Sequence, residues 1–189
     1  MGKRRLFVGT FLPEAQRGAL VPDAESAARL AEEWGRKIRW VRPDKLHLTW
    51  VFLGDVEDAV RPEVEAKLSQ LLESVAPLQL TYSSMTLWPH ARKAKTFVVV
   101  PGVVAPQLMQ LAERLKSEMR PYADRLEIKY RPHITLARMD PDAGRIDIPE
   151  WFPLRTTLPI THVIDRIDLI ESHLHGSKDY ESIAHWKLS

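Results

Sequence analysis

The tripeptide His47-Leu48-Thr49 returns 86 residues later as His133-Ile134-Thr135, and no other feature constrains the fold as strongly. Each copy lies in an apolar, strand-like run, HLTWVFLG and HITLAR. Each follows a proline, Pro43 a few residues upstream of the first and Pro132 beside the second. Strand side chains alternate between two faces, so a His and a Thr at i and i+2 share one face. Each copy therefore offers an imidazole and a hydroxyl together. With 7 His and 9 Thr in 189 residues, chance supplies about one third of one His-x-Thr. A single copy carries little meaning. Two copies, in matched strands at half-chain spacing, point to one site with two proton-transfer groups and two hydroxyl donors.

That kit suits phosphodiester chemistry. A five-membered cyclic phosphodiester is strained, so its opening needs no strong nucleophile. A neutral imidazole can take a proton from attacking water, and an imidazolium can give one to the departing ribose oxygen. The unperturbed pKa of histidine, near 6.5, serves both tasks. Threonine hydroxyls can hold the non-bridging oxygens, and a nearby arginine can stabilise the charge that develops on them. This scheme requires no metal and no cofactor. A metal site is the rival reading, but zinc takes three or four protein ligands, and the motifs supply two histidines with no carboxylate at matching positions. His173-Leu174-His175, followed by Gly176, reads as a turn between strands. His90, His162 and His185 have no partner pattern. Residues alone leave open which motif histidine gives the proton and which takes it.

The length fits one large domain or two intimate lobes. No apolar run reaches the roughly 18 residues of a membrane-spanning helix. The N-terminus, MGKRRLFVGTFLP, reads as a first strand rather than a signal peptide, and Met1-Gly2 lacks the Ser or Thr that a myristoylation signal needs. The chain has no cysteine, which excludes disulfides and thiol catalysis and is compatible with the cytoplasm, the expected location. A net charge of +2 excludes a polyanion-coating surface, yet Arg outnumbers Lys 17 to 10, and the guanidinium fork suits phosphate. The basic stretch His90-Ala91-Arg92-Lys93-Ala94-Lys95 reads as a solvated hairpin tip, with contact to a nucleic-acid backbone as the alternative.

Periodicity predicts strands over residues 5–12, 37–41, 46–53, 78–87, 96–100, 127–130, 133–137, 160–172 and 180–188. It predicts helices over 24–34, 62–75 and 106–119, the last with Leu108, Leu111, Leu115 and Met119 on its apolar face. The first motif strand is expected to stop at Gly54-Asp55, and 140–153, with three prolines, to be a loop. Around each motif the order is the same: helix, short extended piece, proline, motif strand. This predicts a duplication, with two helix-backed antiparallel lobes facing a cleft.

The double H-x-T pattern resembles the 2H phosphoesterase superfamily, and within it the bacterial and archaeal RNA 2′,3′-cyclic phosphodiesterases, also called 2′-5′ RNA ligases. The resemblance covers nearly the whole chain. Arg5-Leu6-Phe7 with Leu12-Pro13 resembles the opening strand. The run from Leu46 to Gly54 resembles the first motif, with Trp50 where an aliphatic residue is commoner. Arg131-Pro132-His133-Ile134-Thr135-Leu136-Ala137-Arg138 resembles the second, and Leu169-Ile170-Glu171-Ser172 with Tyr180 the closing strand pair. The resemblance implies an α+β, bilobal, pseudo-symmetric fold: a single domain over residues 1–189, with two antiparallel sheets backed by helices around a central cleft. It implies metal-independent hydrolysis of RNA 2′,3′-cyclic phosphate ends, or of cyclic nucleotides, to a 2′-phosphate. A monomer with no membrane partner is expected.

By the same resemblance His47 is the proton donor and His133 the acceptor that activates water. Thr49 and Thr135 map onto phosphate-binding threonines, and Arg138 onto an arginine near the phosphate. Arg131 is a further candidate, set against a plain surface charge. Strict alternation from His133 puts Arg138 on the opposite face, so it needs a bulge, a strand end or a long reach. Arg138 has no evident counterpart after the first copy, where Val51-Phe52 continues an apolar strand. Phe11 and Trp88 are candidates to stack a base, weighed against core positions. Two other functions stay open. One is 2′-5′ joining, the reverse reaction on a 5′-hydroxyl end. The other is an RNA- or nucleotide-binding module without turnover.

Overall fold

The computed structural model describes residues 2–22, 24–33, 38–124, 129–140, 145, 158–173 and 180–189. In chain order these form β1 (Lys3–Phe11), α1 (Glu14–Ala19), α2 (Ala24–Glu33), β2 (Ile38–Trp40), β3 (His47–Glu57), α3 (Arg61–Leu72), β4 (Leu78–Trp88), β5 (Thr96–Pro101), α4 (Pro106–Met119), β6 (Ile134–Met139), β7 (Ile160–Ile164), β8 (Arg166–Ser172) and β9 (Tyr180–Lys187). The architecture is α+β. One lobe holds β3-β1-β8-β9 and the other β7-β4-β5-β6, with β2 on the free edge of β6; all pairings are antiparallel. The lobes join into one nine-stranded sheet through a single pair, Leu48 opposite Ile134. The first lobe is thus built from both ends of the chain, not from its first half.

Only Asp165 separates β7, at one end of the sheet, from β8, near the other. So short a connection requires the sheet to curl until its ends approach each other. This splits the single strand expected over 160–172. The first motif strand also runs further than expected, because Gly54 adopts φ 80 and the strand continues to Glu57. Only glycine takes that backbone angle without strain, and a Cβ there would meet Asp124. Asp124 fills the space, accepting from the Asp55 N–H at 2.9 Å and donating its own N–H to the Leu53 carbonyl at 2.9 Å.

The helices cover the sheet. α4 starts at Pro106, whose fixed φ suits a first turn, and buries Leu108, Leu111, Ala112, Leu115 and Met119 against the sheet, where it packs on β3. Each fully buried leucine of this kind contributes about 1.5–3 kcal/mol. α3 buries Val64, Leu68, Leu71 and Leu72 beside α4 and β9. The six-residue α1 has no apolar stripe, buries no residue and was not expected from the sequence. Tyr130 and Lys129 belong to no strand, contrary to the expectation of an extended piece there. Trp34, Lys37, Glu127, His175 and most of the loop expected over 140–153 lie outside the described residues. Among the described residues no helix is long and apolar enough to cross a membrane.

Candidate active site

The two prolines set up the two histidines. Pro43 opens a turn of 3-10 helix, Pro43–Lys45, after which the chain straightens into β3 at His47. The Lys45 carbonyl is left 2.7 Å from the Nδ1 of His47. Before β6, Pro132 precedes His133, and the Arg131 carbonyl lies 2.9 Å from the Nδ1 of His133. A carbonyl can only accept, so each Nδ1 bears the hydrogen, and Nε2 is the nitrogen of each ring that can take or give a proton. The same device, a bond to the carbonyl two residues back, thus orients both rings.

The strand pairing brings the motifs together. With Leu48 opposite Ile134, His47 falls opposite Thr135 and Thr49 opposite His133, on the face away from the two fully buried aliphatics. The motifs meet side by side on neighbouring strands. They form a square of two imidazoles and two hydroxyls related by a local two-fold axis.

Each strand then slips phase at the third residue after its histidine. Along β1 the partners of Val8 and Gly9 are Val51 and Thr49, so Trp50 is bulged out. Along β5 the partners of Phe97 and Val98 are Ala137 and Thr135, so Leu136 is bulged out. Consequently Trp50 and Val51 are both buried and Phe52 is exposed, while Leu136 and Ala137 are both buried and Arg138 is exposed. A bulge puts two consecutive residues against one partner and resets the alternation. The bulge that Arg138 needs is therefore present. The residue at the matching position of the first copy is Phe52, so Arg138 has a positional counterpart but no charged one. Trp50 fits its bulge because its Nε1 donates to the Thr10 hydroxyl at 2.9 Å, which itself donates to the Arg166 carbonyl at 2.9 Å.

His47, Thr49, His133, Thr135, Arg131 and Arg138 all line one cavity of about 250 Å³. Phe52, Tyr130, Lys116 and Tyr180 line it as well. The bulges hid Phe52 from a strict alternation pattern, and Tyr180 comes from a strand at the other end of the chain.

The two halves differ in their surroundings. His47 sits among Phe7, Tyr180 and Phe11, at ring-centre distances of 4.9, 5.0 and 6.1 Å. Burial pushes its imidazole down to about 4; the Lys45 carbonyl opposes this, and the positive charges of His133 and Arg138 add to it. His133 instead lies against Trp88 at 4.5 Å, and the Arg131 guanidinium stands over the same indole at 4.4 Å. Arg131 is therefore a cleft residue held by a cation–π contact. Phe11 and Trp88 are half-buried rather than core, and each packs beside a motif histidine. His162, outside this cavity, is a buried histidine pushed down to about 4 by its burial. His173 lies 3.6 Å from Glu181.

The cleft offers two imidazoles, two threonine hydroxyls and guanidinium groups, a set suited to an anion. Among the described residues no three His, Asp or Glu side chains converge as a metal ion would require.

The sequence and the fold both have relatives among known proteins. The 2′-5′ RNA ligase superfamily matches residues 21–176, and the chain belongs to that family. The RNA 2′,3′-cyclic phosphodiesterase of Bacillus subtilis is 24% identical over 184 residues, covering 97% of this chain and 96% of its own. That of Thermus thermophilus is 29% identical over 149 residues, covering 75% and 72%. The crystal structure of E. coli LigT in apo form has the same fold, with a TM-score of 0.75 at 22% identity, covering 100% of this chain and 99% of that one.

Proposed function

We propose that this protein opens RNA 2′,3′-cyclic phosphate ends to 2′-phosphates by two-histidine acid–base catalysis. The observation that carries the reading is the square of His47, Thr135, Thr49 and His133, with both Nδ1 atoms tied back to a carbonyl two residues earlier. The names of the Bacillus and Thermus relatives support it. The threonines hold the non-bridging oxygens, and Arg138 and Arg131, which line the same cavity, counter the charge that grows on them. We assign His47 as donor to the leaving 3′ oxygen and His133 as acceptor from water. In the free protein His47 is a neutral base, held down to about 4. The donor role therefore requires the arriving phosphate anion to raise its proton affinity. The reverse assignment, with neutral His47 as the base, is favoured by the same observation. A phosphodiester with a 4-nitrophenolate leaving group separates the two, because that group departs without a proton. If His47 is the donor, His47→Ala is far less damaging on it than on the cyclic phosphate, and His133→Ala damages both. The converse result reverses the roles.

The decisive experiment is incubation with a cyclic-phosphate-ended oligonucleotide in EDTA and identification of the product. A 2′-phosphate supports the reading. No turnover, or turnover abolished by EDTA, overturns it. Joining of 2′-5′ ends uses the same groups by microscopic reversibility, and adding a 5′-hydroxyl oligonucleotide tests for it. A binding module without turnover has no need of two fixed, opposed imidazoles. We further place the protein in the cytoplasm as a monomeric, single-domain enzyme, a reading supported by the absence of cysteine and by the continuous sheet.

A further inference from the structure

On the lobe that carries His133, the strand register sets four residues in a row across four strands. Arg39 on β2 is opposite Arg138 on β6, Arg138 is opposite Thr96 on β5, and Thr96 is opposite Trp88 on β4. Directly opposed residues share a face. The next row, Trp40, Ala137, Phe97 and Leu87, points into the core, with Ala137 and Phe97 fully buried. The row that begins with Arg39 therefore lies on the cleft side. Arg138 and Thr96 line the cavity, and so does Val41, which shares a face with Arg39 two residues before it.

Arg39 is an exposed cation with no role in the site described so far. Like charges set directly opposite each other on a sheet are destabilising, and a bound anion reverses the sign of that interaction. Among the described residues neither Arg39 nor Arg138 pairs with a carboxylate. The same holds for Arg92, Lys93 and Lys95, which are exposed on the β4–β5 tip that ends beside Thr96. Thr135 and Arg138 are about two strand steps apart once the bulge is allowed for, roughly 7 Å. This is comparable to the spacing of successive phosphates along an extended nucleic-acid strand.

We infer that Arg39, with Thr96, forms a second phosphate subsite that receives the phosphodiester next to the reacting cyclic end, with Arg138 lying between the two phosphates and reaching both. The cations of the β4–β5 tip continue the track for the RNA backbone beyond it. The inference rests on the proposed hydrolase reading and gives it a substrate class: polynucleotide ends in preference to cyclic mononucleotides. Backbone contacts of this kind position a strand without reading its sequence.

The test compares kcat/KM of the full chain and of Arg39→Ala on adenosine 2′,3′-cyclic phosphate and on a short oligoribonucleotide ending in the same group. The oligonucleotide-to-mononucleotide ratio is expected to fall about ten-fold in the variant, with the slope of log(kcat/KM) against log salt for the oligonucleotide shallower by about 0.7, as for one lost phosphate contact on a single strand. An unchanged ratio, or an equal loss on both substrates, overturns the subsite. If the wild-type chain turns over neither substrate, the hydrolase reading falls, and binding judges the subsite by itself. Fluorescence anisotropy with a labelled, 2′-phosphate-ended oligonucleotide then shows about ten-fold weaker binding for Arg39→Ala, or equal binding, which overturns the proposal.

Discussion

The His47 strand and the His133 strand are two copies of one backbone device placed in different environments. Each has a proline before the strand, a ring tied to the carbonyl two residues back, a Thr two residues on, and a bulge after it. Beyond these shared parts the copies diverge. His47 is enclosed by Phe7, Phe11 and Tyr180, and its strand emerges at Phe52. His133 rests on Trp88 beside Arg131, and its strand emerges at Arg138. Acid–base catalysis needs one group to give a proton while the other takes one. A symmetric scaffold supplies two equivalent groups, so in the proposed scheme the division of labour comes from what surrounds them. The aromatic enclosure on one side and the guanidinium groups on the other are the observed asymmetry.

The shared part of the comparison is tested hardest by removing the rings. His47→Ala and His133→Ala are each expected to lower turnover at least about 100-fold, with the far-ultraviolet circular dichroism unchanged. A folded variant of either kind with near-full rate would sink the two-ring scheme.

The divergent part is tested by the residues that follow the bulges. Arg138→Ala should lower kcat by about 100-fold, as for loss of one donor to a charged transition state, while Phe52→Ala should act mainly on KM and only a few-fold. Equal effects on kcat would erase the distinction between the two strands.

His162 provides a control for His47, since burial lowers both rings to about 4, yet His162 lies outside the cleft. In the unfolded chain histidine binds its proton near pH 6.5, and the folded ring refuses it until about pH 4. The unfolded state therefore holds more protons in that window, so stability is complete above about 6.5 and is lost as the pH falls toward 4. For the buried His162 this amounts to about 2 kcal/mol between pH 7 and pH 5, or several degrees in Tm. His162→Phe should flatten that slope in thermal melts and leave the pH–rate profile in place. If it moves the rate profile, His162 is coupled to the cleft.

The smallest effect concerns charge alone. The positive charge of Arg138 helps hold His47 down, so in Arg138→Ala the His47 ring of the free protein should titrate above about pH 4, by less than about one unit, as read from its NMR chemical shifts. A downward move would contradict the arrangement.

Much of the candidate site was legible in the sequence. The period of two placed each His beside its Thr, and the half-chain spacing paired the copies. All six expected site residues line one cavity. The amphipathic stripe of α4 was equally legible, because its spacing is a local property of the chain. What the sequence could not show was anything that depends on a partner strand. The bulges at Trp50 and Leu136 exist only because Val8, Gly9, Phe97 and Val98 pair as they do. Phe52 and Arg138 therefore reach the cleft through phase slips that no alternation pattern contains. The break at Asp165 was invisible for the same reason: two adjacent apolar runs read as one strand until the pairing sends one to β4 and the other to β1.

The amino-acid sequence by itself determined which functional groups the candidate site holds, because residue type and a two-residue period are enough to place an imidazole beside a hydroxyl twice over. Only the tertiary structure decided the asymmetry. Which rings enclose His47, which indole His133 rests on, and that Arg39 comes to lie opposite Arg138 are all set by contacts between residues far apart in the chain.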